Sequence, residues 1–397
     1  MDQTKTRQRG NWVSRFAACC AALLFGLGGA VRYYANQMPD HFYTENDAPV
    51  SVAAALPLTV SPPQGSTAEL RLFGVIPVKT VLRTAVPQET VYLGGEPFGI
   101  RMLIAGAMVV SLSNVPSAYG AVCPAERAGV EVGDVIRAVN GTPVTGNASI
   151  QQAVADSGGR PVTVSLTRDD TELTMVVQPV YSAATNRWQT GMWVRDSTAG
   201  IGTVTYYTLT AAGSAGFAGL GHAVCDADTG ELMPLASGDV IPVNVTEVIP
   251  GTAGRPGELR GVFDTEHSIG SLLCNTACGV FGSMDAIPAH SAAVPVAYSQ
   301  NIRRGEAYLY TTLHGTEPQA YTVEIEEVRR RDPALRDMII RVTDETLLAE
   351  TGGIVQGMSG SPIMQDGKLV GAVTHVFVKD PTRGYGIFAE NMHGACD

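Results

Sequence analysis

The sequence predicts a mainly β protein divided into two or three domains. Its 397 residues exceed the length of one ordinary domain. The chain contains 44 glycines and 23 prolines but few long helical patterns, which favours short strands joined by turns. From residue 184 onward, short apolar runs separated by Gly, Ser and Asp turns indicate a barrel or a sandwich.

Charge limits the class of partner that the chain can bind. The formal net charge is −11, and we see no cluster of Lys and Arg of the kind that phosphate binding needs outside the N-terminus. Because binding to nucleic acid depends on clustered basic side chains that contact phosphates, we expect no nucleic acid partner.

The seven cysteines do not suggest a disulfide framework, because their number is odd and their spacing is irregular. Cys274 and Cys278 are four residues apart, which predicts a local disulfide or two buried thiols. No second Cys/His pair has zinc-ligand spacing, so no metal is predicted.

The first 37 residues read as a basic cytoplasmic stretch followed by a signal or transmembrane segment. Lys5, Arg7, Arg9 and Arg15 precede an uncharged apolar run from Phe16 to Val31. Small residues at 28–30 would suit signal peptidase, so cleavage of this segment stays open. Either way, we expect the rest of the chain to lie outside the cytoplasm.

Residues 38–90 are predicted to be a linker with lead-in strands. The stretch from Met38 to Thr67 is rich in Pro, Ala, Ser and Thr and has little periodicity. Leu70 to Val81 alternates well enough for one or two strands.

Residues 91–180 resemble a PDZ domain, chiefly through the run from Ala128 to Gly141, which reads A-G-V-E-V-G-D-V-I-R-A-V-N-G. The resemblance implies that the loop containing Phe98, Gly99 and Ile100 takes the terminal carboxylate of a peptide that adds as a strand. The alternative is a PDZ-shaped spacer whose groove is unused.

The run from Gly357 to Pro362, G-M-S-G-S-P, places Ser359 in a tight loop that leads into a β-hairpin with a turn at 365–368. Trypsin-like proteases present their nucleophile in this setting. The strand-turn-helix elbow of α/β-hydrolases shares the G-x-S-x-G spelling. Pro362 and the immediate turn argue against a helix there, and only 38 residues follow Ser359.

A serine nucleophile needs a base and a group that orients the base. His222 is the candidate base, because small residues flank it; His375, in the strand after Ser359, is the competitor. Asp344 and Asp264 are both candidates for the orienting acid, and the residues alone do not choose between them. The backbone amides of Gly357 and Ser359 are the expected oxyanion donors.

Taken together, the chain resembles the stage IV sporulation protein B (SpoIVB) serine peptidases of endospore-forming bacteria. The resemblance covers nearly the whole sequence, and its most specific pieces are Phe217 to His222, Val342 to Asp344, Thr351 to Pro362, Gly371 to Val378, Asp380-Pro381 and Gly384 to Gly386. It implies a PDZ domain followed by a chymotrypsin-like double β-barrel peptidase domain at 184–397. It also implies that Ser359 is the nucleophile, His222 the base and Asp344 the orienting acid, and that no cofactor is needed.

The resemblance further implies a role in sporulation signalling. Such peptidases act between forespore and mother cell, where they cut a regulatory subunit of a membrane protease complex that processes a sigma factor. Self-cleavage and control through the PDZ domain are traits of the family. The alternative is a membrane-tethered PDZ binding protein with a non-catalytic peptidase-like domain.

Overall fold

The structure is a computed structural model that describes residues 3–45, 52, 54, 56–62, 65–118, 120–209 and 213–396. For residues 3–14 and 45 only the backbone is described. Strands dominate the chain, which confirms the prediction of a mainly β protein. The strands form a small N-terminal sheet, a PDZ module and two barrels.

The N-terminal part combines one long helix with a four-stranded sheet. Its elements are α1 (Gln3–Gln37), β1 (His41–Glu45), β2 (Leu58–Val60), β3 (Thr67–Leu72) and β4 (Ile76–Val86). The strand order is β1-β4-β3-β2, and β1 runs parallel to β4.

This small sheet includes the lead-in strands that we expected within residues 38–90, because Leu70 to Val81 forms parts of β3 and β4. Strands β1 and β2 lie within Met38 to Thr67, the stretch that we expected to be a linker. Leu70 and Leu72 alternate with polar residues along β3, and both pack against Tyr34 and Met38 at the end of α1. Burial of that apolar face is enough to hold the strands together. Residues 46–51, within the same stretch, lie outside the described residues.

Helix α1 contains one segment, Arg15–Gln37, that is long and apolar enough to cross a membrane. Its 23 residues extend about 34 Å at 1.5 Å per residue, slightly more than a hydrocarbon core of about 30 Å. The segment therefore fits a membrane anchor, and a signal sequence has the same character.

The middle of the chain builds the PDZ module and starts the first barrel. Its elements are β5 (Thr90–Leu93), β6 (Pro97–Leu112), β7 (Val115–Ser117), β8 (Gly120–Val122), α2 (Pro124–Arg127), β9 (Val135–Val139), β10 (Thr142–Pro143), α3 (Asn147–Asp156), β11 (Val162–Arg168), β12 (Thr171–Val177), β13 (Val180–Ser182), β14 (Arg187–Gln189) and β15 (Met192–Leu209).

The first barrel is completed by strands that follow β15. These are β16 (Ala215–Gly219), β17 (Leu235–Ile249), β18 (Glu258–Phe263), β19 (Gly270–Thr276), β20 (Gly279–Met284) and β21 (Ala293–Pro295). The pairings run β6-β17-β19-β20-β16-β15, and a pairing between β15 and β6 closes the ring.

The second barrel occupies the C-terminal part. After a 3₁₀ turn at Ser299–Asn301 come β22 (Gly305–Thr311), β23 (Gln319–Val328), β24 (Met338–Val342), α4 (Glu345–Thr351), β25 (Pro362–Gln365), β26 (Lys368–Phe377), β27 (Asp380–Phe388) and α5 (Ala389–Met392). Its six strands close in the order β22-β23-β24-β27-β26-β25. The predicted double β-barrel is therefore confirmed.

The PDZ module and the first barrel share two strands. The first half of β6 pairs with β17 of the barrel, whereas Ala107 and Met108 of β6 pair with β9 of the PDZ module. The crossover occurs at Gly106 (φ 116°), where a Cβ would lie 2.2 Å from the carbonyl oxygen of Ile136. Residues 97–105, which we assigned to the PDZ domain at 91–180, thus belong to the barrel.

A disulfide joins Cys274 in β19 to Cys396 near the C-terminus, with Cα atoms 6.1 Å apart. Cys278, which we considered as the partner of Cys274, is free. The two cysteines are 122 residues apart, and no local spacing pattern in the sequence predicts that they pair.

Candidate active site

One cleft between the two barrels contains both the candidate nucleophile and the candidate base. Its volume is about 450 Å³, and His222 and Ser359 both line it. The first barrel contributes Ile100, Ile201 and Leu220, and the second barrel contributes residues of the 354–359 loop and of β26. The two residues, 137 positions apart in sequence, therefore share one site.

Two glycines shape the loop that carries Ser359. Gly357 (φ 98°) and Gly360 (φ 96°) both adopt left-handed backbone conformations. A Cβ on Gly360 would lie 2.0 Å from the carbonyl oxygen of Thr203, so no larger residue fits there. The glycines of the G-x-S-G motif are thus explained by close packing of this loop against strand β15.

The amide groups beside the Ser359 hydroxyl are free to receive a ligand. Within the described part of the chain, the N–H groups of Gly357 and Ser359 donate to no protein acceptor, whereas those of Met358 and Gly360 donate to Val355 and Val373. Two free N–H groups two residues apart and beside a serine match the donor pair of an oxyanion hole.

The Ser359 hydroxyl donates a hydrogen bond to the carbonyl oxygen of Thr374, with an Oγ–O distance of 2.7 Å. It is thereby held against β26. Among the described contacts, Ser359 and His222 form no hydrogen bond to each other, so the hydroxyl must leave Thr374 before His222 can accept its proton.

His222 follows β16 in a sharp turn, in which Leu220 (φ 65°) and Gly221 (φ 69°) are both left-handed. Its Nδ1 lies 2.8 Å from the carbonyl oxygen of Ala223. A carbonyl only accepts, so Nδ1 carries the proton and Nε2 keeps a free lone pair.

Burial lowers the pKa of His222 below its ordinary value, an effect that the bond to Ala223 partly opposes. The ring is consequently neutral at neutral pH, as a general base must be.

His375 contacts His222 through its ring, with centroids 4.6 Å apart and planes tilted by 37°. The pKa of His375 is lowered to about 4, mainly by desolvation and to a lesser extent by the nearby His222 and Arg336. The sequence indicated His375 as the competitor of His222 for the role of base. In the structure it lies in strand β26 and lines the cleft; part of its side chain is exposed to solvent, and the ring of His222 shields another part.

The structure does not bring Asp344 to His222. One carboxylate oxygen of Asp344 accepts from the amides of Thr346 and Leu347, each at 3.0 Å, and therefore caps α4. The other accepts from the amide of Thr322 at 3.3 Å. The acceptor at His222 Nδ1 is the carbonyl of Ala223, so the assignment of Asp344 as orienting acid stays a prediction of the resemblance.

Asp264 is also remote from the cleft. It lies on the exposed surface and pairs with His267 at 2.9 Å, which lowers the pKa of Asp264. The choice between Asp344 and Asp264 is thus not decided by proximity to His222, since neither residue lines the cleft.

Sequence reasoning missed Asn275 and Asp226, which hold the loop after His222. The side-chain amide of Asn275 bonds both the N–H and the C=O of Val224, each at 2.8 Å. Asp226 is buried, accepts from Thr229 and pairs with Arg195 of β15. The Asp-x-x-Thr-Gly turn beginning at Asp226 is a local signal; nothing in the sequence points to Asn275.

Phe98, Gly99 and Ile100 do not form an open carboxylate-binding loop. They lie inside β6, paired on one side with β15 and on the other with β17. Phe98 and Ile100 are buried, and the ring of Phe263 covers Gly99. Their backbone groups are therefore already occupied, and Ile100 instead forms part of the wall of the cleft.

Comparison with known proteins agrees with this architecture. The family model for SpoIVB peptidase S55 matches residues 186–393, and a PDZ domain model matches residues 120–168. A protein of Synechocystis sp., named "Putative serine protease HhoA", is 45% identical over 56 residues. That match spans 14% of this chain and 14% of the relative.

The peptidase match covers more than half of the chain and includes His222, Asp344 and Ser359. The PDZ match covers β8 to β11. The chain therefore belongs to the SpoIVB peptidase S55 family and contains a PDZ domain.

Proposed function

We propose that this protein is a serine endopeptidase in which Ser359 is the nucleophile and His222 the general base. The observation that carries the proposal is the shared cleft: both residues line it, beside two unpaired amides. The free lone pair on Nε2 and the lowered pKa of His222 support its role as proton acceptor.

The reaction follows from these groups. Ser359 Oγ attacks the scissile carbonyl carbon while Nε2 of His222 takes the hydroxyl proton. The amides of Gly357 and Ser359 donate to the resulting oxyanion. The C–N bond then breaks, and the protonated His222 gives its proton to the leaving amine. Water, deprotonated by His222, hydrolyses the acyl-enzyme and regenerates Ser359.

The orientation of His222 has two candidate sources. The carbonyl of Ala223 holds Nδ1 in this structure. Our proposal assigns the orientation to Ala223 and assigns to Asp344 the capping of α4, the helix that leads into the 352–359 loop. The family resemblance assigns the orientation to Asp344, and a substitution described in the Discussion separates the two.

The side chains that line the cleft favour binding of an apolar segment of the substrate. Its walls include Ile201, Leu220, Val355, Val376 and Val378. Among the described residues that line it, none is Asp, Glu, Lys or Arg. A peptide with small or medium apolar side chains at the scissile bond would bury apolar area without leaving a charge unpaired.

The cellular role rests on the family resemblance and on two features of the chain. Helix α1 would anchor the protein to a membrane, and the Cys274–Cys396 disulfide suits an oxidising compartment outside the cytoplasm. The protein would there cleave a regulator of a membrane-embedded protease that processes a sigma factor, and would also cleave itself. Its PDZ module would bind a peptide C-terminus at a site other than Phe98 to Ile100.

Labelling of the intact protein with a fluorophosphonate tests the chemistry. We expect labelling of the wild type, none in Ser359→Ala and strongly reduced labelling in His222→Ala. A folded wild type that stays unlabelled would contradict the proposal. It would favour the alternative, a membrane-tethered PDZ regulator with a non-catalytic peptidase-like domain, in which Ser359→Ala leaves function intact.

A further inference from the structure

Thr203, in strand β15 of the first barrel, reaches across to the serine loop of the second barrel. Its hydroxyl donates to the carbonyl oxygen of Gly357 at 2.8 Å, and its amide donates to the carbonyl oxygen of Ser359 at 2.9 Å. Only 1% of Thr203 is exposed, so both bonds are shielded from water. One residue thus holds two peptide groups of the loop.

Every carbonyl of this loop from 356 to 360 has a partner. Besides the two held by Thr203, Gln356 accepts from the amide of Leu259 and Met358 from that of Ser361. Gly360 accepts from the hydroxyl of Thr205 at 2.7 Å. Neighbouring strands or the loop itself therefore engage all five carbonyls, and two donors, the amides of Gly357 and Ser359, remain beside the cleft.

Peptide planarity links this pattern to the oxyanion hole. The N–H of Ser359 belongs to the peptide group between Met358 and Ser359, and its direction is opposite to that of the Met358 carbonyl. Thr203 binds the carbonyls of the peptide groups immediately before and after this one. Thr203 thereby holds both ends of the axis through the Cα atoms of Met358 and Ser359, about which this peptide group can turn. Rotation of the Ser359 amide away from the cleft would break the bond that the Met358 carbonyl accepts from Ser361.

We propose that Thr203 is a positioning residue that aligns the Ser359 amide, and with it the Gly357–Ser359 donor pair, for the oxyanion. It touches neither substrate nor the reacting atoms, and it acts through the loop. This inference rests on the proposed peptidase function, because the donors matter only if an oxyanion forms. Preorganised donors lower the barrier because they need not reorient during the reaction.

Thr203→Val tests the inference, since valine keeps the shape of threonine and removes only the hydroxyl. The readout is two-step inactivation of the full-length protein by a fluorophosphonate, whose phosphonyl oxygen requires the same donors. We expect the maximal inactivation rate to fall about 10-fold or more, with little change in the inhibitor concentration for half-maximal rate. Thr203→Ser retains a hydroxyl and should restore most of that rate.

Thr312→Val is the matched control. Thr312 is equally buried, and its hydroxyl donates to the carbonyl of Gly95 at 3.0 Å, away from the residues that line the cleft. The two valine variants each lose one buried hydrogen bond and leave one carbonyl without that donor, which destabilises both folds. We expect similar thermal destabilisation in both but slow inactivation only in Thr203→Val.

If Thr203→Val does not fold, Thr203→Ala, which has no branched side chain to strain the loop, replaces it with the same expectation. Folded Thr203 variants that inactivate at the wild-type rate would overturn the positioning role while leaving the peptidase function in place. A folded wild type that does not react at all would instead remove the peptidase function. The two failures are therefore distinguishable.

Discussion

The rings of His222 and His375 lie against each other at the cleft, 4.6 Å between centroids, and both have a lowered pKa. Because the pKa of His375 is about 4, that ring is neutral at neutral and mildly acidic pH. His222 is therefore the group whose protonation can stop the reaction there.

The pH dependence of inactivation by a fluorophosphonate should follow His222. A base with a lowered pKa stays neutral to more acidic pH, so the acid limb of the rate should have its midpoint below 6.5. His375→Gln should keep this limb, because it removes a ring that is uncharged there. A limb that disappears in His375→Gln would assign the base to His375.

Asp344→Asn distinguishes a cap from a catalytic acid. Asparagine caps helices about as well as aspartate, so we expect Asp344→Asn to react within a few-fold of the wild type. Asp344→Ala should cost about 0.5–2 kcal/mol of stability, measured by urea unfolding. If a folded Asp344→Asn loses about 10⁴-fold in rate, Asp344 orients His222 as the family resemblance implies.

Asp337 should make the fold less stable as pH rises through the mildly acidic range. Burial raises the pKa of Asp337 to about 6, although it accepts from Phe388 N and from Asn391. The unfolded chain loses this proton near pH 4 and the folded chain near pH 6. Between these values the unfolded state binds fewer protons, so the free energy of unfolding falls with rising pH.

The slope that Asp337 contributes is at most about 1.4 kcal/mol per pH unit. Urea unfolding from pH 4 to 7 gives the free energy of unfolding of the wild type and of Asp337→Asn as a function of pH. The two curves should differ in slope up to about pH 6 and run parallel above it. Asparagine accepts the same bonds without titrating. Parallel curves would mean that Asp337 ionises as easily in the folded as in the unfolded chain.

Gly360→Ala should disrupt the active site more than Gly367→Ala. Both glycines have left-handed backbones, so each substitution costs about 1–2 kcal/mol through φ alone. A Cβ at position 367 meets no atom within 4 Å, whereas one at 360 meets the Thr203 carbonyl at 2.0 Å. We therefore expect a larger fall in melting temperature in Gly360→Ala than in Gly367→Ala, and loss of fluorophosphonate labelling in Gly360→Ala alone; equal effects would contradict the close packing.

Local patterns were sufficient for much of the fold. The G-M-S-G-S-P loop with its hairpin became the loop before β25 and β26, and alternating residues after position 184 became the barrel strands. The same reasoning failed at residues 97–105. Their apolar alternation suits a PDZ strand and a barrel strand equally, and only pairing with β15 and β17 assigns them to the barrel.

The sequence by itself determined the residue types, the tight turns and the strand periods, because these depend on neighbours along the chain. It also marked His222 and Ser359 through the small residues around them. Tertiary structure alone decided that these two line one cleft, that Thr203 holds the serine loop, and that Cys274 pairs with Cys396. These relationships join residues more than 100 positions apart, and only the closure of the barrels and the packing of one against the other bring such residues together.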